Sequence, residues 1–312
     1  MRAERLIVAN FVPRSPFKSF PESYTLFSAI CWGVRVLYGE EALKDMLGRF
    51  LKEPPFLISS PVFERGGTYF FPKPVLEDGW EDELGKDDYG KKKEVKKARY
   101  ISEEAFKKVL EGEINTNKEL YRFLRSREVL FESVNTTHAS ISRITWTTAG
   151  GQLYNEEVYY ISAPFLVFFL FFDGSFETPV RASLEFSQLG GNRSTGMGYY
   201  HIKFGESPRW IEKHLDYSDR FISLSPHFYD ESFDMQKSMY DVFPTMGVVD
   251  NYFYAPTPHI LKKRVMYINK GSNMKLKEKK HYYGKLKEVL VDNHRNVTIY
   301  QYGYAFPLYV RC

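Results

Sequence analysis

The sequence predicts an α+β protein whose first part is a ferredoxin-like unit with long insertions and whose second part is a smaller sheet unit. Three observations carry this. Strand-like and helix-like runs through residue 205 follow the order strand, helix, two strands, insertions, strand, helix, strand, the order of a βαββαβ unit with an interruption. A fresh set of strand-like runs begins beyond Pro208. At 312 residues the chain exceeds the usual size of one core, which sets the units at residues 1–206 and 207–312. A βαββαβ sheet carries its helices on one face and leaves the other for a ligand.

Leu6 to Val12 reads as the first strand, and the Pro-rich stretch Pro13 to Pro21 as a connection. Leu26, Phe27, Ile30, Val34 and Leu37 then recur on one helical face, with Ser23 in the N-cap position. Phe56 to Ser60 and Tyr69 to Phe71, bracketed by Pro54-Pro55, Gly66-Gly67 and Pro72, form short strands joined by a turn. The segment 77–99 is acidic first and basic later, with Lys91-Lys92-Lys93 and Lys96-Lys97, a pattern expected of a solvated loop. Ser102 opens a surface helix through Leu110, with Glu103 and Glu104 in its first turn, where they complement the helix dipole. Residues 133–161 alternate Thr, Ser, Ile, Trp and Tyr around Gly150-Gly151, so they read as a long hairpin turning at the glycines. A hairpin that buries neither face projects from the body.

The Phe- and Val-rich run Ala163 to Phe172 is expected as a buried strand. Glu177 to Leu189 follows as a helix, with Val180, Ala182, Leu184, Phe186 and Leu189 apolar, and Tyr199 to Phe204 as the closing strand. Beyond Pro208 come strand-like Phe221 to Leu224, a short helical stretch Phe233 to Val242, and strands near Met246 to Tyr254, Arg264 to Ile268 and Val297 to Tyr302. Lys275, Lys277, Lys279, Lys280, Lys285 and Lys287 cluster with His281 as the most basic segment, either solvated or facing phosphate or an acidic subunit.

Between the second helix and its strand lies Leu189-Gly190-Gly191-Asn192-Arg193-Ser194-Thr195-Gly196-Met197-Gly198-Tyr199. Glycine admits positive φ and close backbone approach, so successive N–H groups can converge on an anion while Arg193 adds charge and a planar fork. Met197 stands where a P-loop needs lysine, and a helix precedes the loop where a dinucleotide fingerprint needs a strand. A polyanion cradle and a tight connection remain the two readings of this loop. On the hairpin, His138, Arg143 and Trp146 either touch a ligand or mark a sheet edge.

The net charge of +4 confines any nucleic-acid surface to a local groove. The 23 Tyr and 26 Phe suit sheets and base stacking, with core packing the commoner use. Cys31 and Cys312 fit neither a disulfide framework nor a zinc spacing, as in a reducing cytosol. The seven histidines form no metal-ligand pair at i, i+4 spacing, so no metal and no cofactor is expected. No G-x-S-x-G elbow occurs. Met1 to Arg5 runs into a strand without a signal peptide's apolar region, and the longest apolar run is half a bilayer helix, so a soluble, cytoplasmic protein without membrane contact is expected.

Several stretches together resemble the RAMP superfamily of CRISPR proteins, specifically the Csm-four-type subunit that caps type III-A effector complexes. Thr25-Leu26-Phe27-Ser28-Ala29 is similar to that family's helix start, and Phe56 to Pro61 with Phe71-Pro72-Lys73-Pro74 to its first hairpin. The hairpin around Arg143 and Gly150 to Tyr154 resembles its thumb, and residues 190–198 its glycine loop. Gly271-Ser272 and Tyr302 to Phe306 also fit. The resemblance implies two ferredoxin-like (RRM-like) domains gripping the 5′ tag of the guide RNA (crRNA). It also implies two protein partners, the large polymerase-like and cyclase-like subunit and the first backbone RAMP subunit.

Carried over by position, Gly190, Gly191, Arg193, Ser194, Thr195, Gly196 and Gly198 would hold tag phosphates, and Arg143 with its hairpin neighbours would wedge between nucleotides. Glu22, Ser23 and Tyr24 stand where family members often show His-Ser-Asp, which favours a scaffold over acid-base chemistry. Asn192 replaces a common lysine, so it adds a weaker contact to the RNA-binding set. A metal-independent repeat-processing endoribonuclease using His138 or His201 is the alternative. Those enzymes usually carry the glycine loop near the C-terminus, whereas over a hundred residues follow it here. A protein-binding module with an incidental glycine loop is the third reading.

Overall fold

The computed structural model describes residues 5–80, 86–124, 129–141, 144–216, 218–247, 261–292 and 297–311. The first half opens with β1 (Arg5–Pro13), α1 (Ser23–Tyr38) and α2 (Glu40–Lys52), followed by β2 (Phe56–Ile58), β3 (Val62–Arg65) and β4 (Thr68–Pro72). Then come α3 (Lys86–Lys97), β5 (Tyr100–Ser102), α4 (Glu103–Leu110) and α5 (Asn117–Tyr121). The long hairpin β6 (Phe131–Ile141) and β7 (Thr148–Ile161) leads into β8 (Phe165–Phe171), α6 (Glu177–Phe186) and β9 (Tyr200–Glu206).

The main sheet is antiparallel and runs β5-β4-β3-β8-β1-β9, with β2 also paired to β8. Every residue of β8 is buried, as its continuous apolar run requires of a strand covered on both faces. Phe11 and Phe63 both lie opposite Phe165 in the register, and Phe11 stacks on Phe165 with centroids 5.0 Å apart. Helices α1 and α6 pack on each other.

The second half contributes α7 (Arg209–Glu212), β10 (Arg220–Ser223), β11 (Val242–Thr245), β12 (Val265–Ile268), β13 (Asn273–Lys275), β14 (Gly284–Asp292), β15 (Val297–Tyr304) and β16 (Pro307–Tyr309). These strands form a three-stranded sheet, β13-β10-β16, and the pairs β11-β12 and β14-β15. Among the described residues this half therefore contains three small sheets and one short helix. Its inner side chains Ile222, Leu224, Tyr302, Phe306 and Leu308 join the same buried cluster as β1 and β8. The Ile58 N–H donates to the Tyr302 hydroxyl at 2.9 Å, tying the halves through the core.

Several expected elements differ. Residues 86–97 of the charged segment form α3, whose Val95 is buried, so the helix spends one apolar position on the core and leaves Lys93, Lys96 and Lys97 exposed. Ser23 is the first residue of α1, and the cap is Glu22, in extended geometry with no capping side-chain bond. The Glu22 carboxylate is instead engaged by the Ser60 hydroxyl and by Lys270 Nζ, the latter at 2.6 Å. Ser102 does cap α4, accepting from the Ala105 N–H at 3.4 Å.

The hairpin turns before its glycines, because Thr148 pairs with Ile141 and Gly150 and Gly151 fall inside β7 at a register shift. Phe233 to Tyr240 is not helical, and Phe233 and Met239 bridge to Leu276 and Asn273 instead. Of the strand expected near Met246 to Tyr254, residues 248–254 lie outside the described residues. No helix among the described residues is long and apolar enough to cross a membrane.

Candidate nucleic-acid interface

The glycine loop is a compact turn whose backbone conformations explain its composition. Asn192 and Gly196 are left-handed, with φ of 57° and 88°, and flank the one-turn 3-10 segment Arg193–Thr195. Gly198, at φ 77°, leaves no space for a Cβ, which would sit 2.0 Å from the Leu189 carbonyl oxygen. The loop closes on itself at that point, with the Leu189 N–H donating to the Gly198 carbonyl at 3.1 Å.

The backbone donors divide the cradle into two parts. The Thr195 and Met197 amides donate to the Asn192 carbonyl, Gly196 to Arg193 and Gly198 to Pro16, at 2.8 to 3.3 Å. Those four are spent on the fold. The amides of Gly191, Asn192 and Ser194 have no partner among the described residues, and all three residues are exposed. The anion-binding capacity therefore lies on the 191–194 side, beside Arg193, whose guanidinium carbon is 6.0 Å from the Trp32 ring centroid on α1.

The segment between β1 and α1 supports this loop and joins it to the hairpin. Ser15 Oγ accepts from the Tyr199 N–H at 2.8 Å, and Phe17 exchanges two backbone hydrogen bonds with Tyr159 of β7. Lys18 follows, and its side chain crosses Gly191, where a Cβ would stand 3.3 Å from Lys18 Cγ. Lys18 Nζ meets Glu156 Oε1 of β7 at 2.8 Å. The same Glu156 oxygen accepts from Asn192 Nδ2 at 2.7 Å, and His138 Nε2 lies 3.6 Å from the other oxygen. The Lys18 hydrogen bond, with help from Asn192, holds the Glu156 carboxyl below its usual range.

His138 thus lies beside the Glu156–Asn192 pair, its Nε2 hydrogen-bonded to the Thr136 hydroxyl at 3.0 Å and its ring stacked on Tyr154 at 5.4 Å. Trp146 stays apart, 84% exposed near the hairpin's end, with φ of 56°. Arg143 lies outside the described residues. His201 sits exposed on edge strand β9, and no hydrogen bond or ring contact joins it to His138 among the described residues. Cys31 is free, and burial pushes its thiol up to about 12. No group of three His, Cys, Asp or Glu side chains suited to a metal occurs among the described residues.

Lys18 and Glu156 are the members of this cluster that sequence reasoning missed. They are far apart in the chain, and Lys18 sits in what reads as a simple connection. Two features also lie in the lysine-rich segment: Lys275 pairs with Asp219, and Lys280 with Asp230 at 3.1 Å, so part of that charge is used internally.

Comparison with known proteins gives no match to a family model. The chain is 26% identical over 213 residues to the CRISPR system Cms protein Csm4 of Thermococcus onnurineus (strain NA1), covering 65% of this chain and 69% of the relative. Its fold is similar to a chain of a Csm3-Csm4 subcomplex from the type III-A CRISPR-Cas interference complex, with TM-score 0.65 and 18% identity over 98% of this chain and 100% of the other. It is similar as well to a chain of a Csm1-Csm4 cassette in complex with cA4, with TM-score 0.64 and 17% identity over 98% of both chains. The likeness to the Csm4-type subunit read from the sequence stands on these matches.

Proposed function

We propose that this Csm4-type chain is a non-catalytic RNA-binding subunit of a type III-A CRISPR effector complex in antiviral defence. It holds the 5′ tag of the crRNA and links the large polymerase-like and cyclase-like subunit to the backbone RAMP subunit, in the cytoplasm. The observation that carries this reading is the exposed set of unpaired amides at Gly191, Asn192 and Ser194 beside Arg193. Backbone amides and arginine hold a single strand by its phosphates, while splayed bases stack on aromatic side chains. Trp146 and Arg143 of the hairpin are the residues we assign to the bases next to the tag.

The order β9-β1-β8 with β2 and β3 beyond it supports a ferredoxin-like unit over residues 1–206, with residues 207–312 as a smaller second unit. The relatives solved as Csm1-Csm4 and Csm3-Csm4 assemblies support the two protein partners. Arg193→Ala is expected to weaken tag-RNA binding and to lower the slope of log affinity against log salt by about 0.7, one phosphate contact on a single strand. Filter binding over a salt series measures both. Equal affinity and slope for the two proteins would overturn the assignment. Specific cleavage of repeat RNA in chelator, lost in His138→Ala, would replace it with the endoribonuclease reading.

A further inference from the structure

A carboxylate at the edge of a candidate phosphate site needs an explanation. Glu156 is only 14% exposed, and its Oε1 takes two donors, Lys18 Nζ and Asn192 Nδ2, while His138 Nε2, hydrogen-bonded to the Thr136 hydroxyl at 3.0 Å, lies 3.6 Å from Oε2. Lys18 is anchored beside it, with Nζ 3.4 Å from the Glu157 carbonyl oxygen. The Asn192 amide that holds Glu156 belongs to the residue whose own backbone N–H, like those of Gly191 and Ser194, has no partner among the described residues. The donors around Glu156 and the free donors of the loop are therefore contiguous. Two oxygens of a phosphodiester present the same charge and acceptor geometry as the carboxylate they would replace.

We propose that Lys18 and Asn192, with His138 at the edge, form a seat for one RNA phosphate, and that the Glu156 carboxylate fills this seat until the RNA displaces it. The inference rests on the tag-binding reading and adds Lys18 to its contacts. Because Glu156 belongs to β7, displacement at the loop also releases one tether of the hairpin. The bound strand then finds the loop and the hairpin adjusted together. A carboxylate that merely organises the loop would have the opposite effect on affinity when neutralised, which makes the two accounts separable.

The test uses the full chain with Glu156→Gln, alone and combined with Lys18→Ala. Neutralising the stand-in is expected to tighten tag-RNA binding about threefold to tenfold at low salt and to steepen the salt slope by about 0.7, because Lys18 then meets the phosphate without first leaving a counter-charge. Lys18→Ala in the same chain cancels both gains. Unchanged or weaker binding by Glu156→Gln overturns the proposal. A sulfate titration followed by thermal unfolding reads the seat without RNA: Glu156→Gln gains more from sulfate than the unaltered chain or the double variant. Equal sulfate responses in all three proteins overturn the seat itself. An unaltered chain that binds no tag RNA, with the sulfate difference intact, overturns the RNA reading and leaves an anion site for another ligand.

Discussion

Strands β7 and β8 follow one another along the chain, yet β8 is buried throughout while β7 keeps Leu153, Tyr154 and Tyr160 exposed. β8 is apolar at every position, while β7 interleaves its aromatics with Gln152, Asn155, Glu156 and Glu157. Their strand partners differ in the same sense. β8 is hydrogen-bonded to β1 on one side and to β2 and β3 on the other, whereas among the described residues β7 pairs with β6 and, through Tyr159, with Phe17 of the body. A strand inside a sheet gives its side chains to the core; an arm whose backbone bonds are met by its own hairpin keeps its outer side chains available. The contrast predicts that substitutions in β8 act on stability and those at the hairpin end act on binding.

The largest expected effect is at Phe165. Its ring is fully buried between Phe11 and Phe63 on the neighbouring strands, so Phe165→Ala removes the centre of a three-strand aromatic row. The expected cost is about 3–5 kcal/mol of unfolding free energy, measured in denaturant, with RNA affinity unchanged in the fraction that remains folded. A cost below about 1 kcal/mol would break the comparison, since it would make β8 as tolerant as an exposed strand.

The same contrast marks what was legible in the sequence. Periodicity and composition are local, and they sufficed for α1, α4 with its Ser102 cap, β8, and the helix-loop-strand order around the glycines. They failed where a distant partner decides. Residues 86–97 read as a loop because one buried residue, Val95, is too weak a stripe to announce a helix. Phe233 to Val242 has helical spacing, but Phe233 is drawn into a cluster with Phe221 and Tyr283. Ser23 lost the cap position because Glu22 answers Lys270, from the other end of the chain. At the candidate site the loop itself was legible, whereas the Glu156 cluster, assembled from three separate segments, had no local signal.

One buried histidine extends the comparison to titration. His227 is fully buried beside Phe221 and Phe233; its Nδ1 donates to the Ser225 carbonyl at 3.2 Å, and Nε2 has no partner in the core. Burial pushes its pKa down from 6.5 to about 4. The unfolded chain therefore takes up this proton first as pH falls. The contribution is fully present above the unfolded pKa and is lost between 6.5 and about 4. Its full size is about 3 kcal/mol. His227→Leu is expected to flatten the stability profile in that window, measured by urea unfolding at successive pH values. The lowered carboxyls of Asp219 and Asp230 act at more acidic pH, from their ordinary value of 3.8 downward, so they do not mask it. An unaltered profile in the variant would mean that His227 is reached by water in the native state.

The smallest effect on stability belongs to Trp146, and it sharpens the comparison most. Its side chain is 84% exposed, so Trp146→Ala removes almost no buried surface. Surface changes of this kind stay within about 0.5 kcal/mol, and the positive φ at this position costs alanine and tryptophan alike, since both carry a Cβ. Loss of a stacked base, by contrast, costs about 1–3 kcal/mol of binding free energy. Thermal unfolding and tag-RNA binding measured on the same preparation are expected to separate, with unfolding unchanged and affinity down. If both stay unchanged, the hairpin end takes no part in holding RNA. If stability falls with affinity, Trp146 packs onto the protein, and the division between a core strand and a free arm does not extend to the arm's end.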